Sequence, residues 1–221
     1  MEKTKYYGIY TKQNKKIKYY TENLTPGISF FGEKLIKEND KEYRETNIRR
    51  SKLFAAVSKH ISNLFLKKNN IVLYLGASHG YTPSFISDIV SEGYVFCLDF
   101  APRVVRDLVA VCEKRENMIP ILADAKKIDE YKDRIDEVDI IYQDIAQKNQ
   151  VEILFKNLEF LKDKGYVLFT VKARSIDVTK HPKQIFIEVE KKLCKNLKII
   201  DYKILDPYEK DHCFFVCQKI N

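Results

Sequence analysis

Three aspartates stand at the ends of predicted buried strands, where an α/β sheet binds its ligands. Asp99, Asp124 and Asp144 each follow a run of apolar residues. Ligands of open α/β sheets bind outside the carboxyl ends of the strands, so side chains at successive strand ends converge on one site. One such acid alone is equally well explained as a helix N-cap. Three in succession predict a binding site.

The pair Asp99-Phe100 has the chemistry of a nucleoside site. A carboxylate in this place can accept hydrogen bonds from both ribose hydroxyls, and the adjacent aromatic ring can stack on the base. The next strand end, Asp124-Ala125, offers a carboxylate for an adenine amino group. NAD and S-adenosylmethionine share the adenosine that these residues would bind, so the acids do not discriminate between the two cofactors.

The loop LGASHGYT (75–82) follows the first buried strand and opens a predicted helix. Glycines in such a loop let the backbone approach a ligand, although tight turns between strand and helix use glycine just as often. The spacing from Gly76 to Gly80 is not the G-x-G-x-x-G of dinucleotide-binding loops. The spacing therefore weakens the case for a dinucleotide, and the glycine pair by itself is a weak signal.

Lys172 is difficult to explain as a structural residue. It lies in the run YVLFTVKA (166–173), which is otherwise typical of a buried strand. An unpaired lysine in such a place is costly, because burial disfavours its charge. We therefore regard Lys172 as a candidate for chemistry.

The elements that must position these residues alternate between apolar runs and helical stretches from residue 70 onward. This alternation predicts a series of βαβ units with a parallel sheet. The five predicted strands are 71–75, 94–100, 118–122, 138–144 and 166–173, with a helix near 182–195. Two adjacent strand-like runs, 197–205 and 211–219, close the chain and can form only an antiparallel hairpin. Five parallel strands and a hairpin predict the seven-stranded, Rossmann-like methyltransferase sheet.

The first fifty residues have a different pattern. Short runs rich in Tyr and Ile, with turn signals at Gln13-Asn14 and Asn39-Asp40, predict a small antiparallel β appendage. Ser51 is a candidate N-cap for a helix through about residue 66, with Leu53, Val57, Ile61 and Leu64 on one face. We therefore divide the chain into an N-terminal β domain (1–50) and a methyltransferase domain (51–221).

Composition narrows the class of protein. The net charge of +8 and the pI of about 9.0 favour a polyanionic partner, of which phosphate backbones are the commonest. No run reaches the roughly 18 apolar residues of a membrane span, and no apolar signal-peptide core is present. Five cysteines without a C-x-x-C pair predict buried reduced thiols and no metal site. We expect a cytoplasmic protein.

Several stretches, in this order and spacing, resemble the fibrillarin family from about residue 30 to the end of the chain. The stretches are EKLIKENDKEYRETNIRRSKLFAA (33–56), VLYLGASHGYTPSFISDIV (72–90), ADAKK (123–127), YQDIAQ (142–147), VKARSID (171–177) and DPYEKDHCFFV (206–216). The absence of a Gly/Arg-rich segment implies the archaeal form. The resemblance implies an S-adenosylmethionine-dependent RNA 2′-O-methyltransferase that acts in rRNA and tRNA processing.

The resemblance also implies the site residues. The expected contacts of S-adenosylmethionine are Gly76, Tyr81, Thr82, Asp99, Phe100, Asp124, Ala125, Asp144 and Gln147. Thr82 would bond the methionine carboxylate. The loop departs from the family pattern at His79 and Tyr81, where the family has small or hydroxyl residues, so these two side chains would alter that end of the pocket or face solvent or RNA.

A catalytic set of Lys52, Asp144, Lys172 and His212 is likewise implied by the resemblance. A ribose hydroxyl is a poor nucleophile, so its methylation requires deprotonation and in-line positioning. Lys172 is the expected base, with Asp144 as the partner that orients it. Lys52 would be a second cation, and His212 would position the ribose. Taken singly, Lys52 is better explained as a helix-surface residue and His212 as a structural histidine, so the functional interpretation depends on their joint placement.

Partners follow from the same resemblance. Guide RNA of the box C/D class selects the target in rRNA or tRNA, and a Nop-domain scaffold protein and a kink-turn-binding protein build the particle. Phosphates would be held by the cations that flank the catalytic set in sequence, namely Arg49, Arg50, Arg174, Lys180 and Lys183. Two alternatives stay open. A nucleotide-dependent oxidoreductase predicts G-x-G-x-x-G and a parallel sixth strand, and a non-catalytic RNA-binding module predicts no need for Lys172 or Asp144.

Overall fold

The computed structural model describes residues 1–13 and 17–220, and the first of its two sheets is a small antiparallel one. Its strands are β1 (Glu2–Lys3), β2 (Tyr10–Gln13), β3 (Ile17–Glu22), β4 (Leu35–Glu38) and β5 (Lys41–Glu45), in the order β1-β2-β3-β5-β4. Asn39 and Asp40 have left-handed φ of 51° and 60° and form the predicted two-residue turn between β4 and β5. The other predicted turn, at Gln13-Asn14, extends outside the described residues.

The second sheet has seven strands and confirms the predicted topology. Its strands are β6 (Ile71–Leu75), β7 (Tyr94–Asp99), β8 (Met118–Leu122), β9 (Val138–Gln143), β10 (Leu161–Lys172), β11 (Leu197–Ile204) and β12 (His212–Lys219). The strand order is β11-β12-β10-β9-β6-β7-β8. Strands β6 to β10 are parallel, whereas β12 runs antiparallel to both β10 and β11. The last strand is therefore not the parallel strand that a dehydrogenase sheet requires.

Helices cover both faces of the large sheet. They are α1 (Lys52–Ser58), α2 (Tyr81–Ile89), α3 (Pro102–Cys112), α4 (Gln150–Asn157), α5 (Ala173–Ile176) and α6 (Pro182–Leu193). One hydrophobic cluster joins α1, α2 and α3 to the sheet, and a second joins α4 and α6 to its other face. Alternate residues of β6 enter the two clusters, which explains its continuous apolar run. Among the described helices, none is long and apolar enough to cross a membrane.

Helix α1 is shorter than its sequence pattern predicts. It ends at Ser58, not near residue 66. His60 adopts a left-handed φ of 58°, and the amides of His60 and Ile61 donate to the carbonyls of Val57 and Ala56. This is a Schellman motif, which terminates a helix. All four residues of the predicted face are nevertheless buried, so the periodicity indicated burial correctly and helix length incorrectly.

The strand ends also differ from prediction in a way that matters for the site. Strand β7 ends at Asp99 and β9 at Gln143, so Phe100 and Asp144 have left the sheet. Strand β10 begins earlier than predicted, at Leu161, and ends at Lys172. Four cysteines are buried and free as expected, but Cys194 is exposed because it caps the end of α6.

A buried ion cluster joins the small sheet to the large one. Arg44 of β5 and Arg115, which follows α3, both bind Asp88 of α2, at 2.9 and 2.8 Å. Arg44 also binds Glu33 at 2.6 Å. The side chains are at most 3% exposed. Because buried charges need their partners, this cluster fixes the small sheet, and the segment that leads from it to α1, against α2.

Candidate active site

A glycine loop brings the ends of β6 and β9 together. Gly76 has a left-handed φ of 85°, and a Cβ atom there would collide with the Asp144 carbonyl oxygen. The Asp144 amide in turn donates to the Leu75 carbonyl at 2.9 Å. Only glycine permits this approach without strain. The loop therefore fixes the backbone of Asp144 at the carboxyl ends of β6 and β9.

A cavity of about 270 Å³ opens at the carboxyl ends of β6, β7 and β9. It is lined by Gly76, Ser78, Leu98, Asp99, Phe100, Ala125, Asp144, Ile145, Ala146 and Gln147. Six of these residues were predicted as cofactor contacts. The strand ends thus converge on one pocket, as the sequence indicated.

Asp99 is held by the backbone on both sides. Its two carboxylate oxygens accept from the amides of Ser78 and Ala101, at 2.9 and 3.1 Å. A carboxylate has about four acceptor positions, so capacity remains for ligand hydroxyls. Phe100 beside it is 62% exposed, an unusual position for a large aromatic ring. Acid and ring together suit a ribose and its base.

Of the two predicted contact residues after β8, only one lines the cavity. Ala125 lines the cavity, but Asp124 does not, and the Asp124 carboxylate accepts from the Lys126 amide at 3.0 Å within its own turn. On the opposite wall, the buried Gln147 Oε1 has no hydrogen-bond partner among the described residues. A buried acceptor without a partner is costly, and a ligand donor would satisfy it.

Tyr81 and Thr82 face away from the cavity, toward the segment that precedes α1. Tyr81 Oη accepts from the Asn47 amide at 2.9 Å, and its ring lies 4.3 Å from the Arg50 guanidinium. Thr82 Oγ1 donates to Ser51 Oγ at 3.1 Å. His79 is exposed and contacts Asp107 at 3.0 Å. The side chains of Tyr81 and Thr82 position the entry into α1, and neither lines the pocket.

Lys52 and Asp144 form an ion pair at the edge of the cavity. Lys52 Nζ lies 3.0 Å from Asp144 Oδ2, and both side chains are mostly buried. Burial acts to lower the pKa of Lys52, but the charge and hydrogen bond of Asp144 outweigh it, so the pKa of Lys52 is raised. Lys52 is therefore a fixed positive charge at neutral pH.

Lys172 and His212 stand opposite each other on β10 and β12. His212 is 8% exposed, and its Nδ1 donates to the Lys210 carbonyl at 2.7 Å. This bond uses Nδ1 and leaves Nε2 available to a ligand. Within the part of the chain that the structure describes, no acidic oxygen lies within 4.0 Å of Lys172 Nζ. The expected pairing of Asp144 with Lys172 is thus wrong: Asp144 binds Lys52.

The predicted catalytic residues therefore form two pairs at the ends of neighbouring strands. Of the flanking cations, Arg174 binds Asp211 at 3.0 Å and Lys180 binds Glu188 at 2.6 Å. The guanidinium groups of Arg49 and Arg50 instead donate to the backbone carbonyls of Pro207 and Phe31. Sequence reasoning missed Ser78 and Gln150, which contact site residues. The sequence contained no signal for Gln150, because α4 also contains the polar residues Glu152, Lys156 and Asn157.

Comparisons with known proteins agree on one family. The Fibrillarin family model matches residues 1–221. A fibrillarin-like rRNA/tRNA 2′-O-methyltransferase of Thermococcus onnurineus is 46% identical over 223 residues, with 99% of each chain covered.

Solved structures are also similar over nearly the whole chain. A fibrillarin pre-rRNA processing protein of Methanococcus jannaschii has a TM-score of 0.94 at 43% identity, covering 98% of this chain and 96% of its own. Aeropyrum pernix fibrillarin with natively bound S-adenosylmethionine has a TM-score of 0.90 at 39% identity, covering 98% and 96%. A fibrillarin in complex with Nop5p has a TM-score of 0.89 at 38% identity, covering 99% and 100%.

Proposed function

Because this chain belongs to the fibrillarin family, we propose that it is the catalytic subunit of a box C/D guide-RNA particle. The chain is an S-adenosylmethionine-dependent methyltransferase of ribose 2′-hydroxyls in rRNA and tRNA. The observation that supports this function best is a pocket at the carboxyl ends of parallel strands that is lined by Asp99, Phe100 and Asp144, the last of which binds Lys52.

The pocket residues fit S-adenosylmethionine. Asp99 would accept from the ribose hydroxyls, and the exposed ring of Phe100 would stack on the adenine. The unpartnered Gln147 Oε1 would accept from the amino group of the methionine part. When bound, the cofactor supplies a methyl group that its positive sulfur already activates for transfer.

The chain's own residues supply the proton chemistry. Removing the proton of a 2′-hydroxyl requires a basic group within hydrogen-bond reach. Lys52 cannot act, because Asp144 holds it protonated. Lys172 forms no ion pair with the acidic residues that the structure describes and is our candidate base. His212 presents Nε2 from the adjacent strand and would orient the ribose.

The partners extend this proposal. A Nop-domain protein binds the related fibrillarin of the solved complex, and we expect the same class of partner here. Base pairing with a box C/D guide RNA would select the target nucleotide, and a kink-turn-binding protein would complete the particle in the cytoplasm. The net charge of +8 suits such an RNA-rich assembly.

A binding titration separates this function from its alternatives. We expect calorimetry to detect binding of S-adenosylmethionine by the isolated chain and none of NAD. Binding of NAD alone would indicate an oxidoreductase. Binding of RNA with no affinity for either cofactor would indicate a non-catalytic RNA-binding module.

A further inference from the structure

The backbone of Lys172 lies where two strands of the large sheet separate. Strands β9 and β10 pair in one register from Ile140–Tyr166 to Gln143–Phe169, after which the chain leaves β9 at Asp144. Strand β10 continues for three more residues, to Lys172. On its β9 side, the Lys172 peptide therefore has no neighbouring strand.

The side chain of Gln150 takes the place of that strand. Its Nε2 donates to the Lys172 carbonyl and its Oε1 accepts from the Lys172 amide, both at 3.2 Å. Gln150 is the first residue of α4 and is fully buried. An amide side chain is a donor and an acceptor at once, so it can satisfy both backbone groups of one residue.

These two bonds also show on which side of β10 the amide and carbonyl of Lys172 lie. Because its amide and carbonyl both point toward Gln150, they point away from β12. Lys172 and His212 therefore form a non-hydrogen-bonded antiparallel pair, the kind in which side chains lie closest. A change at Gln150 would thus alter the approach of Lys172 to His212.

A hydrogen bond from the side chain of Gln143, the last residue of β9, connects Gln150 to that strand. Gln143 Nε2 donates to the Gln150 carbonyl at 2.8 Å, and Gln143 directly precedes Asp144. Gln143 is fully buried as well. Gln150 therefore connects the strand end that carries Asp144 to the strand end that carries Lys172.

We propose that Gln150 is a positioning residue for methyl transfer, which fixes the main chain of Lys172 relative to Asp144 and His212. The inference rests on the proposed role of Lys172. Among the described residues, the side chain of Gln150 bonds only the backbone of Lys172, so it acts through Lys172. Since Lys172 Nζ has no acidic partner within the described residues, its main-chain contacts are what fix its position.

The test replaces Gln150 by methionine, which keeps the length and removes both hydrogen bonds. In a particle reconstituted with guide RNA, we expect single-turnover methylation to slow about 10- to 100-fold, the size of a misplacement near 1 Å. Affinity for S-adenosylmethionine and half-saturation by target RNA should stay unchanged. Gln184→Met, on the exposed face of α6, is the matched control and should methylate normally.

A double mutant separates positioning from general loss of structure. If Gln150 acts through Lys172, Gln150→Met should slow Lys172→Ala no further, because residues that act as a unit are non-additive. Equal slowing in both backgrounds would overturn the inference, as would a normal rate for Gln150→Met. A normal rate for Lys172→Ala would instead refute the proposed role of Lys172 itself.

Discussion

Two lysines of the predicted catalytic set, Lys52 and Lys172, differ in their partners. Lys52 is mostly buried against Asp144 and keeps its proton. Lys172 lacks such a partner among the described residues and stands across from His212. We propose that Lys52 supplies a fixed positive charge and that Lys172 takes the proton of the substrate hydroxyl.

Replacement of Lys172 tests this division directly. Lys172→Ala and Lys172→Arg should each lower single-turnover methylation by about 10²- to 10⁴-fold, the usual contribution of a general base. Arginine should fail because guanidinium does not give up its proton. Cofactor affinity, checked by calorimetry, should be unchanged, and Lys195→Ala on the surface should methylate normally. A normal rate for Lys172→Arg would mean that position 172 supplies only positive charge.

Asp99 should be needed for cofactor affinity and not for the chemical step. Asp99→Ala removes a carboxylate positioned by two backbone amides. Hydrogen bonds to a charged group contribute about 1.5–3 kcal/mol, so calorimetry should record weaker binding of S-adenosylmethionine by roughly 10- to 100-fold. Asp133→Ala, an exposed aspartate remote from the pocket, is the control. Equal affinities of the two variants would remove Asp99 from the site.

At the scale of elements, strand periodicity predicted most of the large sheet. The apolar run that became β6 is buried from Val72 to Leu75 in the middle of the sheet, which is why its boundaries were predicted correctly. The end of α1 was not, because a left-handed His60 stops the helix while Ile61 and Leu64 remain buried. An apolar periodicity reports burial and does not distinguish a helix from a loop packed on the same core.

The site was predictable as a set of strand ends and not as a set of contacts. Asp99 and Asp144 came together because parallel strands end at one edge. The partner of Asp144 depended on where α1 begins, which the packing of the small sheet determines. Tyr81 and Thr82 turned toward residues 47 to 51 for the same reason. The spacing of residues along the sequence does not show where α1 begins or which residues pack against it.

The close approach of Gly76 to the Asp144 carbonyl should be needed for both stability and cofactor binding. Gly76→Ala should lower the free energy of unfolding and abolish most cofactor binding, because the new methyl group would meet the Asp144 carbonyl. Gly27 is a matched control, since its φ of 84° is nearly the same but nothing lies within 4 Å of a Cβ there. Gly27→Ala should cost only the strain of a left-handed alanine, about 1 kcal/mol. Equal unfolding free energies would show that the close approach at Gly76 is unimportant.

In the molecule as a whole, a buried ion cluster joins the small sheet to the large one, in addition to their apolar packing. Asp88→Asn leaves Arg44 and Arg115 facing a neutral amide, and breaking a buried pair typically costs about 3–5 kcal/mol. Denaturant unfolding should show this loss. Glu92→Gln, which breaks the exposed pair with Lys68, should leave the unfolding midpoint unchanged. If both variants unfold alike, the cluster does not hold the sheets together.

Methyl transfer by the assembled particle tests whether the chain is a guide-directed RNA 2′-O-methyltransferase. The protein would be combined with a Nop-domain protein, a kink-turn-binding protein, a box C/D guide RNA and a target strand, with S-adenosylmethionine labelled in its methyl group. We predict label on the 2′-oxygen of one guide-selected ribose, none when the guide is mismatched at that position, and little with Lys172→Ala. Label on a base, or no transfer by a particle that has assembled and bound cofactor, would contradict the account.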